Sequence, residues 1–199
     1  GNKDDTADGN INANTITVAG VEHLVVDAGV STLDGGTKAQ SAALYTVTAK
    51  LVATEAETIT VKGAGSVNLA GATTIGVVTK VDATASTGNV TIDLSGHAKS
   101  VAYFGSEGID VYTASKAGDN IYTGKSADQV TLTAGVRDTF VLKAATDSQI
   151  GDTDKSGKIT IAGDEVNAAA PAGFQQTIDT ITTFVAGGLA TTDRLDVTN

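Results

Sequence analysis

Four aspartates stand at near-constant intervals in the second half of the chain: Asp110, Asp119, Asp128 and Asp138. Each lies two positions before a large apolar or aromatic residue, namely Tyr112, Ile121, Val130 and Phe140. Carboxylates at this spacing support two kinds of chemistry. They can cap the backbone of repeated tight turns. Alternatively, they can join turn carbonyls around calcium, a hard cation that takes roughly six to eight oxygens. If successive turns stack at the ~4.8 Å of neighbouring strands, two carboxylates repel by roughly 3 kcal/mol at an effective dielectric of about 20 and by under about 1 kcal/mol in bulk water. A shielded ladder of aspartates therefore calls for a cation, whereas a wet one does not.

A second oxygen-rich segment follows, "DTDKSGKITIAGDE", beginning at Asp152. It offers side-chain oxygens at Asp152, Asp154 and Ser156, a glycine for a sharp turn at Gly157 and a carbonyl at Lys158. Ile159 is the apolar anchor, and Thr160 falls where a direct or water-mediated ligand belongs. This is the order of an EF-hand-like loop, in which one chain curls around one ion. Gly163 stands at the closing position, and Asp164 and Glu165 follow it at once, so a slightly longer loop supplies the bidentate carboxylate. The segment is the strongest calcium candidate; the competing reading is an acidic turn.

Other chemistries find little support. His23 and His97 are the only histidines and form no H-E-x-x-H pair. Cysteine is absent, which removes thiol nucleophiles, thiolate metal sites and disulfides. No serine occupies a G-x-S-x-G elbow, and the glycines at 105 and 108 lack the lysine and helix of a phosphate cradle. The expectation is a non-enzyme. A net charge of −10 argues against nucleic acid, which is bound through lysine and arginine. No apolar run approaches the length of a membrane span.

The elements that would position these residues are short strands. The chain is 41% hydrophobic but only 4% aromatic, so its 199 residues must build a core from Val, Ile, Leu and Ala. Segments such as "YTVTAKLVAT", "ETITVKGAG", "NVTIDLSG" and "SVAYFGS" alternate apolar and polar residues and end in Gly, Ala, Ser or Asp, as strands do. Ile59, Val67 and Ile75 are spaced by eight, close to the later nine, which is the rhythm of a solenoid with one strand and one turn per step. A hairpin sandwich would want Asn-Gly or Asp-Gly turns, and "DGG" at 34–36 is the main one present. The fold class expected is all-β, a parallel β-roll or β-helix-like solenoid with a carboxyl-terminal cap carrying the EF-hand-like loop. Residues 1–12 read as a flexible lead, 13–100 as degenerate coils, 101–145 as regular rows and 146–199 as the cap, in one continuous domain.

The regular rows fit the nonapeptide G-G-x-G-x-D-x-U-x, with U large and apolar. "GSEGIDVYT" matches at Gly105, Gly108, Asp110 and Tyr112; "ASKAGDNIY" carries Asp119 and Ile121; "TGKSADQVT" carries Gly124, Asp128 and Val130. A fourth row with one extra residue holds Asp138 and Phe140. In these rows the chain resembles the RTX family of type I-secreted bacterial proteins, whose nonapeptides form a calcium-binding parallel β-roll. The resemblance implies two rows per turn, so that Asp110 stacks on Asp128, and Asp119 on Asp138 across the inserted residue. It also implies a closing region, matched at Asp138, Thr139, Phe140 and Val141, then Asp179, Ile181 and Phe184, then Asp193, Leu195 and Asp196. Asp179 would be a calcium ligand or a turn former. Rows two to four replace template glycines by Ala117, Ser126, Lys116 and Lys125.

The function expected from this resemblance is a non-catalytic, calcium-stabilised structural region of a secreted protein of the bacterial cell surface. It would be S-layer-like, with self-association or neighbouring surface-layer subunits as partners and type I export. The alternatives are a calcium-binding secretion and folding module of an exported hydrolase, such as a metalloprotease or lipase, or an adhesin stalk. The opening "GNKDDTADGN", without methionine, reads as the start of an excised piece. Under the resemblance, a terminal secretion signal would continue beyond Asn199.

Overall fold

The computed structural model describes residues 11–29, 46–70, 74–142, 180–182 and 194–197. Among them every paired strand is parallel to its neighbour and no helix occurs. One sheet contains, in order, β1 (Ile11–Thr17), β3 (Thr46–Ala53), β5 (Ser66–Leu69), β8 (Val90–Asp93), β10 (Val111–Thr113), β12 (Gln129–Thr131) and β14 (Thr180–Thr182). The other contains β2 (His23–Asp27), β4 (Thr58–Gly63), β7 (Lys80–Ser86), β9 (Ala102–Phe104), β11 (Asn120–Tyr122), β13 (Thr139–Leu142) and β15 (Arg194–Val197). The chain crosses from one sheet to the other and back, advancing one strand each time. That is a two-sheeted parallel β-solenoid, and it is compatible with the β-roll expected from the rows.

Register explains why the spacing was readable. Tyr112 lies opposite Val130, and Ile121 opposite Tyr103, steps of eighteen residues. Ile121 lies opposite Phe140, a step of nineteen, so the inserted residue of the fourth row is absorbed before Asp138 without disturbing the pairing. Earlier coils are longer: Ile92 pairs with Tyr112, Val81 with Tyr103, and Leu24 with Ile59. The step of eight from Ile59 to Val67 crosses between the sheets, but the next, from Val67 to Ile75, does not. Ile75 belongs to β6 (Thr74–Ile75), which pairs with the far end of β3, while β5 pairs with its beginning. The eight residues of β3 are long enough to carry both.

Strand alternation sends every second residue inward. Leu24, Ile59, Val81, Tyr103, Ile121 and Phe140 form one internal file, and Leu69, Ile92, Tyr112 and Val130 face them from the other sheet. All but Leu24 are buried, at about 1.5–3 kcal/mol for each large side chain. The only ring-to-ring stack among the described residues is Tyr103 on Tyr112, at 4.2 Å between centroids and 23° between planes. Small residues such as Ala49, Ala53, Ala83 and Ala114 fill the rest of the interior. At the far end, β14 and β15 extend both sheets, with Ile181 opposite Val130 and Leu195 opposite Phe140. Phe184 lies outside the described residues, and so do the "DGG" turn and the first ten residues.

Candidate functional site

Each of the four aspartates sits one position before a strand, at the corner where the chain turns from one sheet into the other. None points to solvent: all four are at most 1% exposed. Asp110 and Asp128 share one corner column, Asp119 and Asp138 the opposite one, as the eighteen-residue rule requires. Each carboxylate serves the neighbouring coil. The Val90 N–H donates to Asp110 Oδ1 at 2.9 Å, and the Asp110 N–H donates to Asp128 Oδ1 at 2.8 Å. On the other side the Val101 N–H reaches Asp119 Oδ1, and the Asp119 N–H reaches Asp138 Oδ1, both at 2.8 Å. One coil earlier the same position holds Val67, whose N–H donates to the Asn89 carbonyl instead. The aspartate side chain thus takes over an acceptor role that the backbone fills in the first half of the chain.

Two corners carry further donors. Asp110 Oδ1 also accepts from Ser106 Oγ at 2.6 Å, while its Oδ2 accepts from the Ser106 N–H at 2.7 Å and the Tyr103 hydroxyl at 3.0 Å. Asp119 repeats the set with Ser115 Oγ at 2.7 Å, the Ser115 N–H at 2.8 Å and the Tyr112 hydroxyl at 2.7 Å. With the N–H groups of Val90 and Val101, each carboxylate receives four donors, about its full capacity. Each serine oxygen in turn accepts an N–H two residues on, from Gly108 at 3.0 Å and Ala117 at 3.1 Å. Ser115 Oγ is also 2.7 Å from the Ala117 carbonyl, but its single proton favours the carboxylate, the stronger acceptor.

Burial raises the Asp110 carboxyl above the usual range, and the donors from Ser106, Val90 and Tyr103 offset this only in part. The Tyr103 and Tyr112 hydroxyls are pushed well above the ordinary phenol range, first by burial and then by the adjacent Asp110 and Asp119 charges. Both hydroxyls therefore keep their protons and donate them.

The sequence signature of this cluster is Y-x-x-S-x-x-x-D, at Tyr103, Ser106 and Asp110 and again at Tyr112, Ser115 and Asp119. Reading the rows by their aspartates alone misses it. In the third row Ile121 and Gly124 stand at the tyrosine and serine positions before Asp128. Gly124 has φ +95°, and a Cβ there would run into the Ser106 carbonyl. Backbone geometry thus excludes a serine from this corner. Gly105 is constrained likewise, because its Cβ would overlap the Thr123 carbonyl of the next coil. In the fourth row the Thr133 N–H donates to Asp138 Oδ2 at 3.1 Å.

These corners do not fit a bound cation at Asp110 or Asp119, since a metal there would have to displace one of the four donors. Among the described residues no three carboxylates or imidazoles gather around one point. Asp152, Asp154, Ser156, Lys158, Thr160, Asp164, Glu165 and Asp179 lie outside the described residues. His23 is an exposed strand residue with Nδ1 2.8 Å from Thr58 Oγ1. His97 is more than a turn residue: it is buried, with Nδ1 2.8 Å from the Ile75 carbonyl and Nε2 2.7 Å from the Val78 carbonyl. It stands where Ser115 stands one coil later, and it fastens the irregular stretch around β6 to the regular coils. A shallow hollow on the outer face beside Phe104, Tyr122, Val141 and Arg194 brings no acid, base and nucleophile together. Scanned against protein-family models the chain matches none, and neither the curated proteins nor the solved structures contain a match.

Proposed function

We propose that the chain is a non-catalytic structural region of a secreted, S-layer-like protein of the bacterial cell surface, exported by a type I route. One observation carries this reading: among the described residues two parallel sheets run from β1 to β15, and in the second half buried aspartate corners tie each coil to its neighbour. Such a stack is long and stiff, and its outward side chains are mostly short and polar, which suits a spacer or lattice element. Calcium in this reading belongs to the segment from Asp152 to Glu165. There, acidic oxygens held apart by charge before export would close around an ion outside the cell. Binding stabilises by mass action, about 2.7 kcal/mol at a hundred-fold excess of calcium over its dissociation constant.

The test is thermal melting of the full chain with calcium and with chelator, together with electron microscopy of the protein at both conditions. Calcium is expected to raise the midpoint and to promote ordered sheets or filaments. Identical midpoints, and particles that stay monomeric throughout, would overturn the proposal. An exported-hydrolase module would instead respond to calcium while remaining monomeric.

A further inference from the structure

We infer that the hydroxyls of Ser106 and Ser115 occupy the role of a divalent cation in the corners they close, so that these coils fold and hold register without calcium. The rows match a metal-binding template by sequence, yet the geometry supplies a different closure. A cation in such a turn would neutralise the aspartate and draw the turn backbone toward it. Ser106 Oγ holds the corner by other contacts: it gives its proton to Asp110 Oδ1 and accepts the Gly108 N–H, which links the carboxylate to the turn backbone without a counter-charge. Ser115 does the same with Asp119 and Ala117.

The closure has its own internal consistency. Tyrosine and serine are present together in the rows of Asp110 and Asp119 and absent together from the row of Asp128. Within each of those two rows both side chains deliver protons to one carboxylate, Tyr103 and Ser106 to Asp110, Tyr112 and Ser115 to Asp119. The two clusters lie on opposite corners and join through the Tyr103–Tyr112 stack, so they form one polar tie across the core. The inference is independent of the surface-protein reading, which places calcium elsewhere in the chain.

The experiment uses the full chain carrying D152N, D154N, D164N and E165Q, which removes the carboxylates of the other acidic loop. Its melting midpoint is measured in millimolar calcium and in chelator. Coincident midpoints are expected. A midpoint that still rises with calcium, and stops rising when D110N or D119N is added, would overturn the inference. The serines are tested separately as S106A and S115A, each a single substitution so that the fold survives. Each is expected to lower the midpoint by roughly 3–10 °C, since a buried carboxylate loses a donor and a backbone N–H loses an acceptor. Two alanine variants that melt with the parent would also overturn it.

Discussion

At the scale of single residues, the buried aspartates are acceptors for a coil's worth of donors, and their energetics follow from that. Tyr103→Phe removes one charge-assisted bond to Asp110 while keeping the ring stack, and is expected to cost about 1.5–3 kcal/mol in chemical denaturation. Asp110 also imposes a pH dependence. Its carboxyl is raised in the folded chain, so its stabilising contribution is complete below the unfolded value and is lost as pH rises through the folded one. Parent and D110N melted in parallel between neutral and mildly acidic pH should therefore diverge, the parent gaining relative to the variant as pH falls. A constant difference would refute this. Asp82 behaves in the opposite sense: burial acts to raise it, but hydrogen bonds from Lys80 and Thr84 overcome this and lower it, so its contribution fades in acid. His97→Ala, which leaves a buried carbonyl without its ring N–H donor and opens a void beside Ile75 and Val78, is expected to cost about 2–3 kcal/mol. By contrast, the solvent-exposed pair Lys62–Asp27 at 3.0 Å is screened by water and adds little to stability.

At the scale of the elements, the corners decide where strands begin. Strands β9 to β12 are only three residues long, and β10, β11 and β12 each follow a buried aspartate whose carboxylate bonds the neighbouring coil. Turns of adjacent coils pack backbone on backbone, which leaves no room for a Cβ at Gly105 against Thr123 or at Gly124 against Ser106. Gly105→Ala is expected to destabilise by at least about 2 kcal/mol, because the obstacle is main chain and cannot rotate away. A fully folded, equally stable alanine variant would show that the coils sit farther apart. Ser126, at φ 79°, tolerates the left-handed region without being glycine and recovers a hydrogen bond from its Oγ to the Glu107 carbonyl at 2.8 Å.

At the scale of the whole molecule, much of the architecture was legible because a solenoid writes its period into the chain. The return of Asp110, Asp119, Asp128 and Asp138 gave both the parallel stacking and the one-residue offset that β11 and β13 absorb. The first half was readable as degenerate coils without a corner repeat, because its corner positions hold Val67, Val90 and Val101, which cap nothing and leave no polar mark. The direction of the carboxylates was not legible, since a turn aspartate facing a cation and one facing inward look alike until the tyrosine and serine partners are considered. Nor could spacing reveal that His97 takes the serine's place, because its carbonyl partners at Ile75 and Val78 belong to an irregular coil.

Everything above requires that residues eighteen apart lie side by side on parallel strands, and the absence of native cysteine makes this directly measurable. Thr113 and Thr131 are register partners on β10 and β12, and neighbouring strands at about 4.8 Å fall within the Cα separation that a disulfide spans. In mild oxidant the T113C/T131C chain should close an internal disulfide nearly completely, while T113C paired with Q129C, displaced by two residues along β12, should close far less. Efficient closure of the displaced pair, or none of the matched pair, would contradict the stacked parallel coil.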